Sequence, residues 1–247
     1  MRRYNEYDPF ARMYNLYWGT HATRMYTTLE HLVLRHLAGE GPVLDLCCGT
    51  GQLAARLVAD GYQVIGIDGS ESMIEIARDN APTVQFLVQD VREPLPIRGF
   101  RAALSTFDSL NHLMTREDLT EVFRNVRDAL AKGGLFAFDL NMADAYETRW
   151  KGTFAYVEDD HVCVARSSKD VERCIGNMEL TIFELTRSGW ERADVTLSQR
   201  WYAEEQVLEA LRVAGFDAVH SLSANEPIAE GSPASQGRMY FVARRVD

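Results

Sequence analysis

Nowhere in the 247 residues do apolar side chains run uninterrupted for anything near the roughly 18 that a membrane-spanning helix requires. The opening segment, MRRYNEYDPF, lacks the apolar h-region of a secretory leader. An unexported, cytoplasmic protein with no membrane partner is expected. Cysteine is scarce as well: Cys47, Cys48, Cys163 and Cys174 are the whole set, and two of them are adjacent inside an apolar run. That excludes a disulfide framework and suits a reducing compartment. Basic residues are in deficit, 26 Lys and Arg against 36 Asp and Glu, for a formal net charge of -10. The sign is wrong for a chain that grips a phosphate backbone by charge alone, so no nucleic-acid partner is expected. No spacing of histidines and cysteines suggests a metal site; His31 and His36 read as surface or satisfied core residues. What remains is 46% hydrophobic and 25% charged, enough for one core with an appended layer.

Across residues 42–140, short apolar runs alternate with segments of helical period, the signature of an α/β chain whose parallel strands are joined by crossover helices. VLDLC, YQVIGID, TVQFLVQD, FRAALSTF and GLFAFDL are the five strands of this block. Gly61 reads as the stop of the first helix, and Ser72 with Glu75 as a capping box for the second. The third runs from Thr115 and Asp118, with Leu119, Val122, Phe123, Val126 and Leu130 on one face, to Gly133 and Gly134. Ahead of the block, residues 22–37 place Leu29, Leu32, Val33 and Leu37 on one helical face. After it, residues 153–201 lose helical period: TFAYVE, HVCVAR, NMELTIFELT and WERADVTLSQRWY alternate in polarity and are parted by Glu-Asp-Asp, Ser-Ser-Lys-Asp and Arg-Ser-Gly, predicting four antiparallel strands. A helix over 203–214 and two last strands, FDAVHSL and RMYFVARRV, complete the chain.

The most informative stretch is Val43-Leu44-Asp45-Leu46-Cys47-Cys48-Gly49-Thr50-Gly51-Gln52, a strand entering a glycine turn and then a helix. Glycines there admit a ligand to the backbone and leave helix N-terminal amides available. Gly49-Thr50-Gly51-Gln52-Leu53-Ala54 also satisfies the dinucleotide pattern, with Asp68 at a fitting distance, so a nicotinamide-dependent oxidoreductase stays open. Against it, a carboxylate at Asp45 would oppose a pyrophosphate but could hold an ammonium group.

In this order the turn, IGIDGS after the second strand, LVQD after the third, STFDSLNHL after the fourth and KGGLFAFDLN at the fifth resemble the class I S-adenosylmethionine-dependent methyltransferases. YDPFARMYNLYWG, FDSLNHL, the strand-rich insertion and GRMYFVARR resemble a bacterial small-molecule branch that includes the aminosugar N,N-dimethyltransferases. The resemblance implies a Rossmann-like, seven-stranded, mostly parallel sheet with helices on both faces, plus an inserted antiparallel β-sheet. Residues 1–40 would be an aromatic lid and helix, 41–145 with 203–247 the cofactor-binding core, and 146–202 the insertion, a substrate pocket or homodimer interface. It implies S-adenosylmethionine as cofactor, converted to S-adenosylhomocysteine, with no metal. Asp45, Cys47, Gly49 and Gly51 would surround its methionine end, Asp68 and Gly69 its ribose, Met73, Asp90 and Val91 its adenine, and Thr106 and Phe107 its sulfonium side. One departure stands out: Cys47 occupies the first glycine of the family's turn.

Methyl transfer from a sulfonium is an in-line displacement whose leaving group needs no acid, so alignment in a dry site dominates and a base matters only for a protonated acceptor. His112, beyond the fourth strand and able to titrate near neutrality, is the candidate base or orienting group, with Asp108 second. Phe107-Asp108-Ser109-Leu110 stands where an amide-directed enzyme would carry Asn/Asp-Pro-Pro-Tyr/Phe, and no Pro-Cys pair is present. An oxygen or nitrogen of a small molecule is therefore the expected acceptor, with RNA or protein as the alternative. Tyr4, Tyr7, Tyr14, Tyr17 and Trp18 read as a lid whose rings face a cation, Tyr14 first and Tyr17 second. Trp150, Tyr156, Arg200, Trp201 and Tyr202 are the expected acceptor contacts, with Tyr17 and His112.

Overall fold

The structure, a computed structural model, describes residues 6–37 and 41–246, so Tyr4 lies outside the described residues. Three short helices, Ala11–Tyr17 (α1), Thr20–Arg24 (α2) and Tyr26–Leu32 (α3), come first. The single helix expected over 22–37 is interrupted. Val33 leaves helical angles at φ -134°, ψ -59°, and the 3-10 turn Leu34–His36 follows. Val33 and Leu34 are both buried against the sheet, and that packing outweighs the amphipathic period.

The core then alternates as the apolar runs require: Val43–Leu46 (β1), Gln52–Ala59 (α4), Val64–Asp68 (β2), Glu71–Asn80 (α5), Gln85–Val88 (β3), Phe100–Ser105 (β4), Arg116–Ala129 (α6) and Leu130–Asn141 (β5). After a short helix, Ala143–Thr148 (α7), come Thr153–Val157 (β6), His161–Asp170 (β7), Ile175–Thr186 (β8) and Gly189–Arg200 (β9). Glu204–Val213 (α8), Asp217–Ser223 (β10) and Arg238–Arg244 (β11) close the chain. The first sheet has seven strands in the order β10-β11-β5-β4-β1-β2-β3. β1 through β5 are mutually parallel, and β11 runs antiparallel to both β5 and β10.

β1 is buried at every position, as a central strand covered on both faces must be. One face carries α6 and α8 over Leu44, Leu46, Phe136 and Phe138; the other carries α3, α4 and α5 over Val43, Ala102, Leu104 and Ala137. Local signals fixed several boundaries. The Thr115 hydroxyl accepts from Asp118 N at 3.0 Å and starts α6. The second helix begins earlier than a Ser72 cap would allow, because Ser70 accepts from Met73 N at 3.1 Å and is the N-cap of α5. α6 ends at Ala129, where Leu130 turns extended, so Gly133 and Gly134 shape the strand that follows and do not stop the helix.

The second sheet is four-stranded and antiparallel, in the order β6-β7-β8-β9. Ser167 to Asp170 continue β7 instead of turning, since their backbone pairs with β8 down to Asp170 opposite Ile175. Its inner face, built on Cys163, Ala165, Leu180, Ile182, Val195 and Leu197, receives Phe10 and Met13 from the front segment. Burying those two side chains contributes about 1.5–3 kcal/mol each and seats α1 on the insertion. Asn111 fastens the junction: its Nδ2 donates to the carbonyls of Asn141 at 3.0 Å and Arg200 at 2.8 Å, while its Oδ1 accepts from Asn141 N. Among the described residues no helix is long and apolar enough to cross a membrane.

Candidate functional site

Between β1 and α4 the backbone turns left-handed at Cys47 (φ 58°), Gly49 (φ 53°) and Gly51 (φ 80°). A glycine costs little there and a side chain costs more, which is the physical content of the Cys47 departure. Gly49 lines a cavity and faces the lid: a Cβ on it would meet Tyr14 at 3.2 Å. Gly51 does a different job. A Cβ there would meet Ala77 at 3.0 Å and Phe86 at 3.1 Å, so it is a packing glycine and not a lining one.

Acids stand at the carboxyl ends of the parallel strands, where an open α/β sheet binds ligands. Asp68, closing β2, accepts from the amides of Gly49 and Ser70, each at 2.9 Å; burial raises its carboxyl and those amides oppose the rise. Asp90, past β3, is chelated by its neighbour Arg92, with Nε at 2.9 Å and Nη2 at 2.5 Å. Asp45 on β1 is 1% exposed, and its Oδ2 has no hydrogen-bond partner. Burial, then the nearby Asp68, push it up to about 7. A buried carboxylate oxygen lacking a donor, beside open glycine backbone and an acid that can accept two hydroxyls, fits a group carrying an ammonium and a ribose.

At the other end of the cavity the chain makes a second left-handed turn, at Phe107 (φ 62°) and Asp108 (φ 53°). Asp139 on β5 holds it: Phe107 N donates to Oδ1 at 2.7 Å and Asp108 N to Oδ2 at 2.9 Å. Arg238 on β11 donates to Asp108 Oδ1 at 2.6 Å and also to Asp139. Gln199, at the end of β9, donates to Asp108 Oδ2 at 2.6 Å, and its own oxygen accepts from Tyr146 at 2.8 Å. Burial pushes the Asp108 carboxyl up, but Arg238 and Gln199 more than reverse this, so it lies below the usual range. His112 lies above this network, its Nδ1 2.8 Å from the Ser198 carbonyl and its Nε2 2.7 Å from the Tyr7 hydroxyl. Burial lowers its pKa, so the ring is neutral near pH 7 and can accept a proton.

The cavity brings together Tyr14, Cys47, Gly49, Asp68, Gly69, Met73, Asp90, Val91, Phe107, Asp108, His112 and Trp150 from the expected site residues. Asp45 does not line it; it is buried on β1, two residues before Cys47, which does. Thr106 is buried, and its carbonyl accepts from Ser109. Burial and the surrounding acids raise Tyr14 far above an ordinary phenol, which makes it a donor and excludes it as a base. Tyr17 turns toward the insertion, stacking on Tyr156 at 3.7 Å and bonding His161. Arg200 lies over Tyr202 while Tyr202 bonds the Leu113 and Thr115 carbonyls, and these residues build the wall instead of lining it. Trp150 does line the cavity, its Nε1 anchored on the Asn177 carbonyl.

Sequence reasoning missed Asp139, Gln199 and Arg238. A signal existed for the first, since Asp139 interrupts a strand otherwise buried and apolar from Leu135 to Leu140. Among the described residues no group of His, Cys, Asp and Glu is arranged to hold a metal.

Residues 43–134 match the methyltransferase domain family. Over 244 residues the chain is 31% identical to a Bacillus subtilis (strain 168) protein provisionally named methyltransferase YqeM, covering 97% of each chain. It is 32% identical over 104 residues, 42% of each chain, to the dTDP-4-amino-2,3,4,6-tetradeoxy-D-glucose N,N-dimethyltransferase of Saccharopolyspora spinosa. Its fold superposes with a TM-score of 0.76 on the sugar N-methyltransferase KedS8 of Streptoalloteichus, at 20% identity, covering 98% of this chain and 93% of that one.

Proposed function

The chain belongs to the S-adenosylmethionine-dependent methyltransferases, and on that premise we propose that it transfers the methyl group to an oxygen or nitrogen of a small molecule. One observation carries the reading: a single cavity joins the glycine turn and its acids to the Asp108, His112 and Gln199 cluster. When bound, S-adenosylmethionine supplies a methyl group already activated on a sulfonium. The chain's own contribution is then binding, alignment and exclusion of water.

In this reading Asp68 exchanges the Gly49 and Ser70 amides for, or shares them with, ribose hydroxyls. Cys47, Gly49 and Gly69 present backbone to the ligand, and Met73 and Val91 bracket the adenine beside Asp90. Asp45, buried on β1, favours the ammonium through its charge. Phe107, in its left-handed turn, faces the sulfonium side together with Tyr14. The α1 helix roofs the site, tied to the donor end through Asp8, whose carboxylate accepts from the Ser70 hydroxyl at 2.5 Å. The similarity to two sugar-directed enzymes supports a small acceptor.

Titration calorimetry with S-adenosylhomocysteine and with NADH is the test. Binding of the former with no binding of the latter is expected; the reverse result would remove the reading. Salt-sensitive retention of RNA by the purified chain would move the acceptor to nucleic acid.

A further inference from the structure

We infer that the acceptor is an uncharged, largely apolar compound with an acidic hydroxyl, phenolic or enolic, and that Tyr7 relays its proton to His112. The inference rests on the methyltransferase reading above.

The direction of the relay follows from hydrogen-bond chemistry. The Ser198 carbonyl only accepts, so the ring proton of neutral His112 is on Nδ1, and Nε2 is the basic lone pair. That lone pair receives the Tyr7 hydroxyl at 2.7 Å. Tyr7 itself lines the cavity, and with its proton directed at His112 its oxygen can accept from the hydroxyl of a bound acceptor. Among the described residues, Asp108, whose charge favours the protonated ring, and the Gln199 amide at 3.3 Å also face the imidazole.

Charge matching sets the class of acceptor. Among the described lining residues, Asp68 accepts from two backbone amides at the donor end, Asp90 is paired with Arg92, and Asp108 holds the Gln199 amide and the Arg238 guanidinium that it shares with Asp139. Asp108, the described lining carboxylate at the acceptor end, already holds the Arg238 guanidinium and the Gln199 amide, so an acceptor ammonium would have to compete with both. Among the described residues Arg92 is the sole Lys or Arg in the lining, and it is bound to Asp90, so a diphosphate would find no matched cation pair. The wall beyond His112 is apolar, formed by Phe10, Leu113, Trp150, Met178, Leu180 and Leu197.

Proton affinity narrows the hydroxyl. Burial holds His112 below an ordinary imidazole, so a phenol near pKa 10 lies more than about 3.5 units above it, a gap that a concerted transfer can bridge. An alcohol resembling water, at about 15.7, lies more than about 9 units above it. In the step, the acceptor's proton passes to Tyr7 Oη as the Tyr7 proton moves to His112 Nε2. The acceptor oxygen's electron pair forms the new O–CH3 bond while the methyl–sulfur bond breaks and its pair stays on sulfur. The products are a methyl ether, S-adenosylhomocysteine, neutral Tyr7 and an imidazolium facing Asp108, which later loses its proton to solvent.

The test offers the full chain S-adenosylmethionine with naphthol, its isostere naphthylamine, or acetylacetone in its enol form, and detects methylated product by mass. Naphthol affinity is read in parallel from tryptophan quenching with S-adenosylhomocysteine present, Trp18 and Trp150 being in the lining. Methylation of naphthol or acetylacetone is expected at least tenfold faster than of naphthylamine. Tyr7→Phe and His112→Asn should each lower kcat about a hundredfold, with both affinities within about threefold of the parent, and the double variant should be about as slow as either single. In the parent, kcat should rise with pH through one ionisation and level off, and that rise should vanish in His112→Asn. Retained adenosylhomocysteine affinity shows that a variant is folded. Methylation of naphthylamine alone, no reaction or binding with any of the three probes, or an unchanged kcat in Tyr7→Phe overturns the inference. If adenosylhomocysteine binds in those cases, the inference alone has failed; if it does not bind, the methyltransferase reading has failed with it.

Discussion

Arg238 donates to Asp108 at 2.6 Å across 130 residues of chain, with both side chains buried, and the same guanidinium bonds Asp139. Two buried carboxylates are thereby held near one cation, and the left-handed turn at Phe107 and Asp108 hangs from them. Replacing Arg238 with Met should cost about 3–5 kcal/mol in urea unfolding, because it leaves buried charge uncompensated. Without the cation the carboxyls' folded-state pKa values rise above their unfolded ones. Stability is then retained at low pH and lost as pH rises, so the deficit should be smaller near about pH 5 than above neutrality. A deficit independent of pH would show that lost packing, not charge, is responsible.

Asp45 provides a second pH signature. Its folded pKa of about 7 exceeds the unfolded value, so its contribution is present at acid pH, where the group is protonated, and is lost as pH rises through about 7. Asp45→Asn should remove that slope. Above neutrality the variant should be more stable than the parent by an amount on the order of a few kcal/mol, and so melt higher, and should bind S-adenosylhomocysteine more weakly. Thermal melts across pH check this; parallel curves for parent and variant would refute it.

For the donor end, Asp68→Ala should weaken S-adenosylhomocysteine binding by about tenfold to a hundredfold, the worth of hydrogen bonds to a charged group. His112→Ala should change it by less than about threefold and mainly slow transfer. Calorimetry on both separates the roles, and an equal loss of affinity would mean they are misassigned.

The roof over the site is latched by Tyr17, stacked on Tyr156 and bonded to His161. Tyr17→Ala should speed release of S-adenosylhomocysteine in stopped-flow fluorescence, while stability falls by about 1–3 kcal/mol, the worth of the aromatic pair together with the hydrogen bond. An unchanged release rate would assign Tyr17 to packing alone.

The parallel block was readable because strands buried on both faces write themselves as continuous apolar runs, and because Thr115 and the glycine turn mark their own ends. The donor side of the cavity was readable for a related reason: Cys47, Asp68 and Asp90 each stand at or within two residues of the carboxyl end of a strand. The acceptor side was not, since its parts come from distant segments. Arg238 reaches Asp139 only through the antiparallel register that sets Tyr240 opposite Asp139. Gln199 reaches Asp108 only once β9 has returned to the core. The length of β7 was hidden likewise, because Ser167 to Asp170 are polar and owe their extension to backbone pairing with β8.

The Asn111 side chain, gripping the carbonyls of Asn141 and Arg200 together, means that the chain leaves the first sheet and comes back to it at nearly one point. A segment stitched in this way is a cassette. Its length and sequence can be exchanged at small entropic cost, since closing a loop between fixed ends grows expensive only slowly with length. The glycine turn and its acids need not change when the cassette does. Grafting the segment between Asn141 and Arg200 from a related enzyme, with Asn111 retained, is therefore a direct route to a new acceptor preference on an unaltered donor half.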